Sequence, residues 1–394
     1  MNGTTAQANW TTALLVEVAE IERSAVSPEN IESGTTYVGL ENITSDGGFI
    51  NVGKVTNGQL ASTKFKFTPL HILYGKLRPY LAKIARPDFE GVCSTDILPI
   101  LPGPKVNRGY LLHFLRRPEM VSFASSRTSG ANLPRLSPNE LAAFRIPLPP
   151  LPEQKRIADI LDKADSLRRK RQEARLLTQN MPLSAFRETF RDYLNPDAAQ
   201  YLLSDAAEVV SGVAKGRKLN GAVTRLVPYL RVANVQAGYL DLSEIKTIPA
   251  KESEIKDLAL QHGDVVMTEG GDHDKLGRGA LWEHDVPDCI HQNHVFRVRT
   301  DRQKLLPTFF VHYLQTELAK GYFLRCAKKT TNLASINMTQ LRALPVPQPP
   351  LKLQQRFDDE LRTIRDVIDR QNIGQTDADS LFHSLVQRAF KGEL

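Results

Sequence analysis

The chain has 394 residues, too many for one ordinary hydrophobic core, so two or more domains are expected. With 41% hydrophobic and 24% charged residues it is globular rather than disordered, and its net charge of +7 permits nucleic-acid binding without requiring it. The three cysteines, Cys93, Cys289 and Cys326, lie too far apart for a disulfide framework or a CxxC metal knuckle, which fits a reducing cytosol.

Near the N-terminus only Ala13-Leu14-Leu15-Val16 is apolar, too short a run for a signal peptide or a membrane span. Up to about residue 145 the chain reads as mixed short strands and helices. Glu17 to Ile21 opens the fold, and Thr36 to Leu40 alternates like a strand before the turn Ser45-Asp46-Gly47-Gly48. His71 to Leu81 predicts a strand running into a basic, aromatic loop. Tyr110 to Leu115 predicts a short amphipathic helix, and Arg127-Thr128-Ser129-Gly130 a polar loop.

From Pro152 the periodicity becomes helical. Ile157, Leu161, Ala164, Leu167, Ala174 and Leu177 fall at spacings that predict one apolar stripe on a charged helix. Arg168-Arg169-Lys170-Arg171 reads as its wet face, or as a contact for DNA or an acidic partner. Pro182 lacks an N–H, which predicts a break near Met181 followed by a short helix through Phe186 and Phe190. About forty helical residues would span ~60 Å.

The second half repeats the first. Ile146 to Ile157 reads IPLPPLPEQKRI, and 200 positions later Val346 to Phe357 reads VPQPPLKLQQRF. Pro149, Pro150, Leu151, Gln154 and Arg156 thus recur as Pro349, Pro350, Leu351, Gln354 and Arg356. The globular parts match more loosely: Tyr229 to Val235 echoes Tyr37 to Ile43, Gly263 to Met267 echoes the strand at Ile72, and Phe310 to Leu314 echoes Leu111 to Leu115. The last helix carries Phe357, Leu361, Ile364, Val367 and Ile368, then Leu381, Leu385, Val386 and Phe390. Gly374 interrupts it at about 1 kcal/mol relative to alanine. An ungapped repeat of this length signals a duplicated unit. The expected fold class is α+β: globular domains at 1–150 and 196–350, joined by long helices at 151–195 and 351–394 that pair antiparallel as a coiled coil and relate the halves by a pseudo-twofold axis.

Catalytic motifs are absent: there is no phosphate-binding GxxxxGK[ST], no GxGxxG after a strand, no GxSxG and no amino-methyltransferase Asn/Asp-Pro-Pro-Tyr/Phe. Cys289, His291 and His294 with Asp272 or His273 fit no standard zinc spacing, so no metal is expected, and a strand from Val295 to Val298 is the better account. Lys76-Leu77-Arg78-Pro79-Tyr80, with Lys83 and Arg86, places four cations and a tyrosine in eleven residues; arginine can read guanine and lysine can neutralise phosphate. A snorkelling surface strand is the competing reading. Arg127 and Arg135 flank Asn132-Leu133, and Lys328-Lys329 precedes Asn332-Leu333, so cations recur near equivalent places. Gly270 to Gly279 presents Lys275 and Arg278 either to phosphates and base edges or simply to solvent. Two function classes stay open from the residues: a DNA reader, and a coiled-coil adaptor whose globular domains bind proteins. An enzyme would need motifs that are missing.

The order of domain, proline strap and helix, stated twice, resembles the specificity subunit of bacterial type I restriction–modification systems over essentially the whole chain. Tyr229-Leu230-Arg231-Val232-Ala233-Asn234-Val235 and Leu276-Gly277-Arg278-Gly279 add to the likeness. The second strap departs from the family's usual acidic-Gln pair, with Leu353-Gln354 where the first has Glu153-Gln154. The resemblance implies two target-recognition domains, each reading half of a bipartite, asymmetric DNA site, with Arg231 and Asn234 joining the DNA-contacting set. It implies a helical ruler that fixes the gap and docks two modification subunits, here assigned to the strap residues above. Those partners would bring S-adenosylmethionine and methylate adenine at N6, and restriction/translocase subunits would use ATP and Mg. This cytoplasmic chain would itself hold no cofactor and no catalytic residue.

Overall fold

The computed structural model describes residues 10–56, 58–219, 221–271, 276–284, 286–329 and 334–394. The chain forms two compact units, residues 1–173 with 372–394 and residues 174–371. Among the described residues no helix is long and apolar enough to cross a membrane.

In the first unit a four-stranded antiparallel sheet has the order Ala19–Ile21, Ile97–Pro102, Ile72–Gly75, Ile84–Ala85. In the second unit the order is Ala207–Ser211, Val295–Thr300, Val265–Thr268, Gly279–Leu281, the same topology strand for strand. Each unit has a further sheet that contains one parallel pair. Tyr37 sits opposite Val92 in the first, and Tyr229 opposite Ile290 in the second. The tyrosine strand then turns into a 3-10 helix, Leu40–Asn42 or Val232–Asn234. The repeat therefore holds at the level of topology even where the sequence echo is a few residues long. The middle strands are buried on both faces, so they read as short continuous apolar runs such as Ile72-Leu73-Tyr74 rather than as alternating ones.

The straps are strands. Arg145–Leu148 pairs antiparallel with Thr11–Leu14, and Pro345–Pro347 with Gln200–Leu202. Helices follow at once, Leu151–Gln179 and Leu351–Lys391. The break anticipated near Met181 falls at Asn180, and a second helix, Met181–Thr189, starts with Pro182 in its first turn, where the missing N–H costs nothing. Gly374 does not interrupt its helix: it sits within a continuous segment, with the Arg171 guanidinium lying where a side chain would stand.

Each unit is closed by the beginning of one long helix and the end of the other. In the first unit Ile157 and Leu161 share a core with Val386, Ala389 and Phe390, packed on Tyr110 and Phe114. In the second, Phe357 and Leu361 share a core with Phe186 and Phe190, packed on Phe309. Cross-contacts run antiparallel within each unit: Arg156 reaches Leu394 at 2.8 Å and Arg168 reaches Asp379 at 3.6 Å in one, and Thr178 reaches Gln371 at 2.8 Å in the other.

The expected continuous stripe is corrected here. Leu167 and Leu177 are exposed (51% and 70%), as is Leu381 (55%), because apolar burial is concentrated toward the helix ends that meet a globular core, reaching inward as far as Ile364 in the last helix. Farther from those ends the helices meet through the polar contacts Arg168–Asp379 and Thr178–Gln371. Arg168 and Arg169 are not a wet face either. Both hold the buried Asp165 carboxylate, at 2.7 and 2.9 Å, and Arg169 also binds the backbone of Asp46. Arg116 joins the same group from the globular part.

Two buried histidines belong to the second unit. Burial pushes His291 and His312 down to about 4, and in each Nδ1 donates to a backbone carbonyl, of Val295 and of Thr308. Both are held neutral in the fold and would take up protons below about pH 6.5 once unfolded. The folded value lies below the unfolded one, so their contribution is complete above pH 6.5 and is lost as the pH falls through 4. The second unit is therefore expected to lose on the order of 3 kcal/mol per histidine across that window. Urea unfolding followed by the buried Trp282, in a Trp10→Phe background, checks this; a midpoint unchanged from pH 7.5 to pH 4.5 would refute it.

Candidate nucleic-acid interface

The cations singled out in the first half converge because two chain segments are stitched together. The strand Ile72–Gly75 ends where the Gly75 amide donates to Lys83 O, at 2.8 Å, which closes a loop over residues 76–82. A side chain at position 75 would strike that same carbonyl. The loop is laid against the hairpin Thr128–Ser129/Arg135–Leu136. Leu136 N donates to Lys76 O at 2.9 Å, Leu77 bridges Arg135, and Arg78 N donates to Pro134 O at 2.8 Å. Lys76, Arg78, Tyr80, Arg127 and Arg135 thus belong to one loop–hairpin assembly.

Their charges are not equivalent. Among the described residues no carboxylate lies within ion-pair distance of Lys76 or Arg78, whereas Arg127 meets Glu140 at 3.0 Å and Arg135 meets Asp96 at 3.0 Å. These two pairs are solvent-exposed and screened by water, so a phosphate can take either arginine at little cost. Lys83 is corrected out of the set: its ammonium donates to Leu40 O at 2.5 Å, inside its own unit. Arg86 binds Asp162 at 3.1 Å.

The second unit builds the same assembly from other residues. Thr268 N donates to Arg278 O and Ile336 N to Glu269 O, both at 2.9 Å, so Glu269 occupies the backbone station of Lys76 and Arg278 that of Lys83. The hairpin is Lys328–Lys329 with Ala334–Ser335, extended by Gly270–Gly271. Lys328 is exposed on it; for Lys329 the backbone alone is described, and Lys275 lies outside the described residues. Glu269 pairs with His294 at 2.5 Å. At this one station the shared scaffold carries a lysine in one unit and a glutamate in the other.

Three further candidates have side chains engaged within the second unit. The Arg278 guanidinium donates to Gln236 at 2.8 Å. Arg231 pairs with Glu244 at 2.8 Å. Asn234 is corrected: it is buried, with Oδ1 accepting from Arg231 N and Nδ2 donating to the Asp241 and Glu244 carbonyls, so its amide holds the 3-10 turn and has nothing left for a base. Asn42 does the same for Gly39, Ile50 and Asn51.

The strap glutamines need a similar correction. Gln154 is 1% exposed; its Oε1 accepts from Asn107 N at 2.8 Å and its Nε2 donates to Lys105 O and Pro149 O at 3.1 and 2.9 Å. Gln354, fully buried, repeats this with Leu306 N, Lys304 O and Pro349 O at 2.8, 3.1 and 3.0 Å. Neither has a group free for a partner, and Pro149 and Pro349 are buried with them. The strap residues left at the surface are Pro150, Leu151 and Arg156, and Pro350 and Arg356, with Leu351 half-buried. Arg156 is held by Glu153 at 2.7 Å.

One basic segment escaped the sequence reading. Lys215, Arg217 and Lys218 lie between Gly212 and Gly221, with Gly216 and Gly221 at φ of +75° and +73°. Lys215 and Lys218 are exposed, and Arg217 binds Glu254 at 2.6 Å. The base of this loop is locked to residues 292–293, next to His294 and so to Glu269. Cations interleaved with glycines were the available signal. As for a metal, the Cys289 thiol is buried and pushed up to about 12, and among the described residues no group of three or more His, Cys, Asp or Glu side chains converges. Asp272 and His273 lie outside the described residues.

Comparison with known proteins places this geometry. Residues 7–176 match the family described as type I restriction modification DNA specificity domain. The chain is 26% identical over 383 residues to the type I restriction enzyme EcoKI specificity subunit of Escherichia coli (strain K12), covering 88% of this chain and 82% of that protein. It is 24% identical to the StySPI specificity subunit of Salmonella potsdam, with the same coverage. Among solved structures, a chain from a study of complex assembly and conformational transition of the type I R-M system superposes with a TM-score of 0.65 at 20% identity, covering 99% of this chain and 100% of that one. The S subunit of a type I system from M. genitalium gives 0.57 at 12%, covering 99% and 98%.

Proposed function

Because this chain belongs to the specificity-subunit family of type I restriction–modification systems, we propose that its two units read the two halves of one bipartite, asymmetric DNA sequence. It acts with DNA and with other restriction–modification subunits, and is itself a non-catalytic recognition subunit. The observation that carries the finer reading is the doubled loop–hairpin assembly, built on one sheet topology but carrying Lys76 in one unit and Glu269 in the other. Two copies of one frame with different surfaces suit a split target whose blocks differ. In this reading the helices set the gap between blocks and dock two modification subunits. Those subunits use S-adenosylmethionine to methylate adenine at N6, while restriction subunits use ATP and Mg, all in the cytoplasm. Two weak readers on one frame bind as a bivalent ligand, so the second contact is effectively intramolecular.

Adenine-methylation mapping in a host that expresses the chain with its neighbouring modification subunit tests this. A split motif with a fixed run of unspecified bases is expected, and exchanging residues 1–150 should change one block alone. Lys76→Ala with Arg78→Ala should weaken binding to that block only and flatten the salt dependence by ~1 to 2 in log–log slope. Equal loss at both blocks would remove these residues from the interface. Salt-independent or sequence-independent DNA binding would favour the protein-binding adaptor instead.

A further inference from the structure

The loop over residues 76–82 has a property that phosphate contacts do not require. Arg78 and Ala82, which flank its 3-10 turn Pro79–Leu81, both adopt the left-handed region, with φ of +51° and +50°. Residues with a Cβ enter that region at a cost of roughly 1–2 kcal/mol each, and persist there when surrounding contacts enforce it. Those contacts are present. The Leu81 and Ala82 amides donate to Arg78 O and Pro79 O at 2.9 Å, the Arg78 amide is pinned to Pro134 O, Pro79 is buried, and the helix Pro118–Ser126 packs against the turn. The result is a rigid point that holds Tyr80 at 55% and Leu81 at 38% exposure. Four cations belong to the same assembly: Arg78 begins the turn, Lys76 lies at the loop base, Arg135 is on the adjoining hairpin and Arg127 immediately precedes it.

We propose that Tyr80, backed by Leu81, is a wedge that enters a base step of the first half-site and unstacks it. The inference rests on the DNA-reading function and adds a mode of reading. An exposed aromatic alone would mean little, since single apolar side chains are common at surfaces. A stiff, apolar-tipped turn in an assembly that also carries four cations is what a duplex would meet if the protein anchors the phosphates and drives a side chain between bases. Part of the specificity then comes from the ease with which one step opens, not from hydrogen bonds to its edges.

The test uses the full chain in complex with its modification subunit. Duplexes carry 2-aminopurine at successive positions of the first block, once methylation mapping has defined it. The methylated adenine itself is left out, because the partner can extrude that base. A several-fold fluorescence rise on binding is expected at one step, without added S-adenosylmethionine. Tyr80→Ala should abolish it and weaken binding about tenfold, as loss of one base–aromatic contact does, while Tyr80→Phe keeps the signal. Binding through the second block serves as the control for folding. No rise at any step in a bound wild-type complex, or a rise that survives Tyr80→Ala, overturns the wedge and leaves the reading function standing. Failure of the wild-type complex to bind in a sequence-dependent way would remove both.

Discussion

Gln154→Leu is expected to destabilise the first unit by about 2–4 kcal/mol, and Gln354→Leu the second by a similar amount, since each strands buried backbone groups. The substitution keeps the volume and removes every hydrogen bond. Asn107 N loses its acceptor, and Lys105 O and Pro149 O lose their donor, at the junction where strap becomes helix. Lys105 is exposed and its carbonyl recovers water, so the cost is less than three full desolvation penalties. Hydrogen exchange resolved by peptide separates the two variants: faster exchange should stay within residues 1–173 and 372–394 for the first, and within 174–371 for the second. Wild-type protection in either variant would show that the glutamines are not the clamps described.

Phe186→Ala should cost about 3–5 kcal/mol in the second unit, the range for truncating a fully buried phenylalanine. Its ring lies 4.9 Å from Phe190, 5.2 Å from Phe309 and 5.4 Å from Phe357, and is stacked on His312 at 5.7 Å. These four neighbours come from two long-helix segments and the globular part, so the cavity cannot be filled by one local rearrangement. The helix Met181–Thr189 should loosen first. A fall of less than ~1 kcal/mol by urea titration would mean that the site collapses around the gap, as happens at forgiving positions. Phe186→Leu, which restores most of the volume, should recover much of the loss.

The frame of this protein was legible from its sequence because it was written twice. Prolines in the straps, the helical spacing beyond them and the ungapped repeat gave the long helices and the α+β class. Pro182 marked a break within two residues of its place. The interior of each globular part was harder to read. Its strands are two to six residues long, and those buried on both faces carry no alternation to detect. Apolar spacing misled at Leu167, Leu177 and Leu381, since periodicity reports which residues share a face and not whether anything covers that face. Composition misled at Asn234, Gln154 and Gln354: side chains typical of recognition surfaces are equally suited to satisfying a turn or a chain reversal from inside. The loop–hairpin assembly could be suspected from recurring cations, yet the bonds joining residues 76–78 to 134–136 pair segments nearly sixty positions apart, and no local pattern encodes them.

The closing of the first unit by Val386, Ala389 and Phe390 also has a consequence for how the chain is born. A ribosome emits residues 1–173 long before it emits the segment that completes their core. At ~5–20 residues per second, the ~200 residues between Glu173 and Asn372 take on the order of 10–40 s to synthesise. Throughout that interval the Tyr110–Phe114 surface waits uncovered, while the second unit, whose helix end at Phe186 and Phe190 precedes its globular part, can close as soon as Leu361 emerges. Folding is thus expected to finish in the reverse of the order of synthesis, with the first unit the last part to mature.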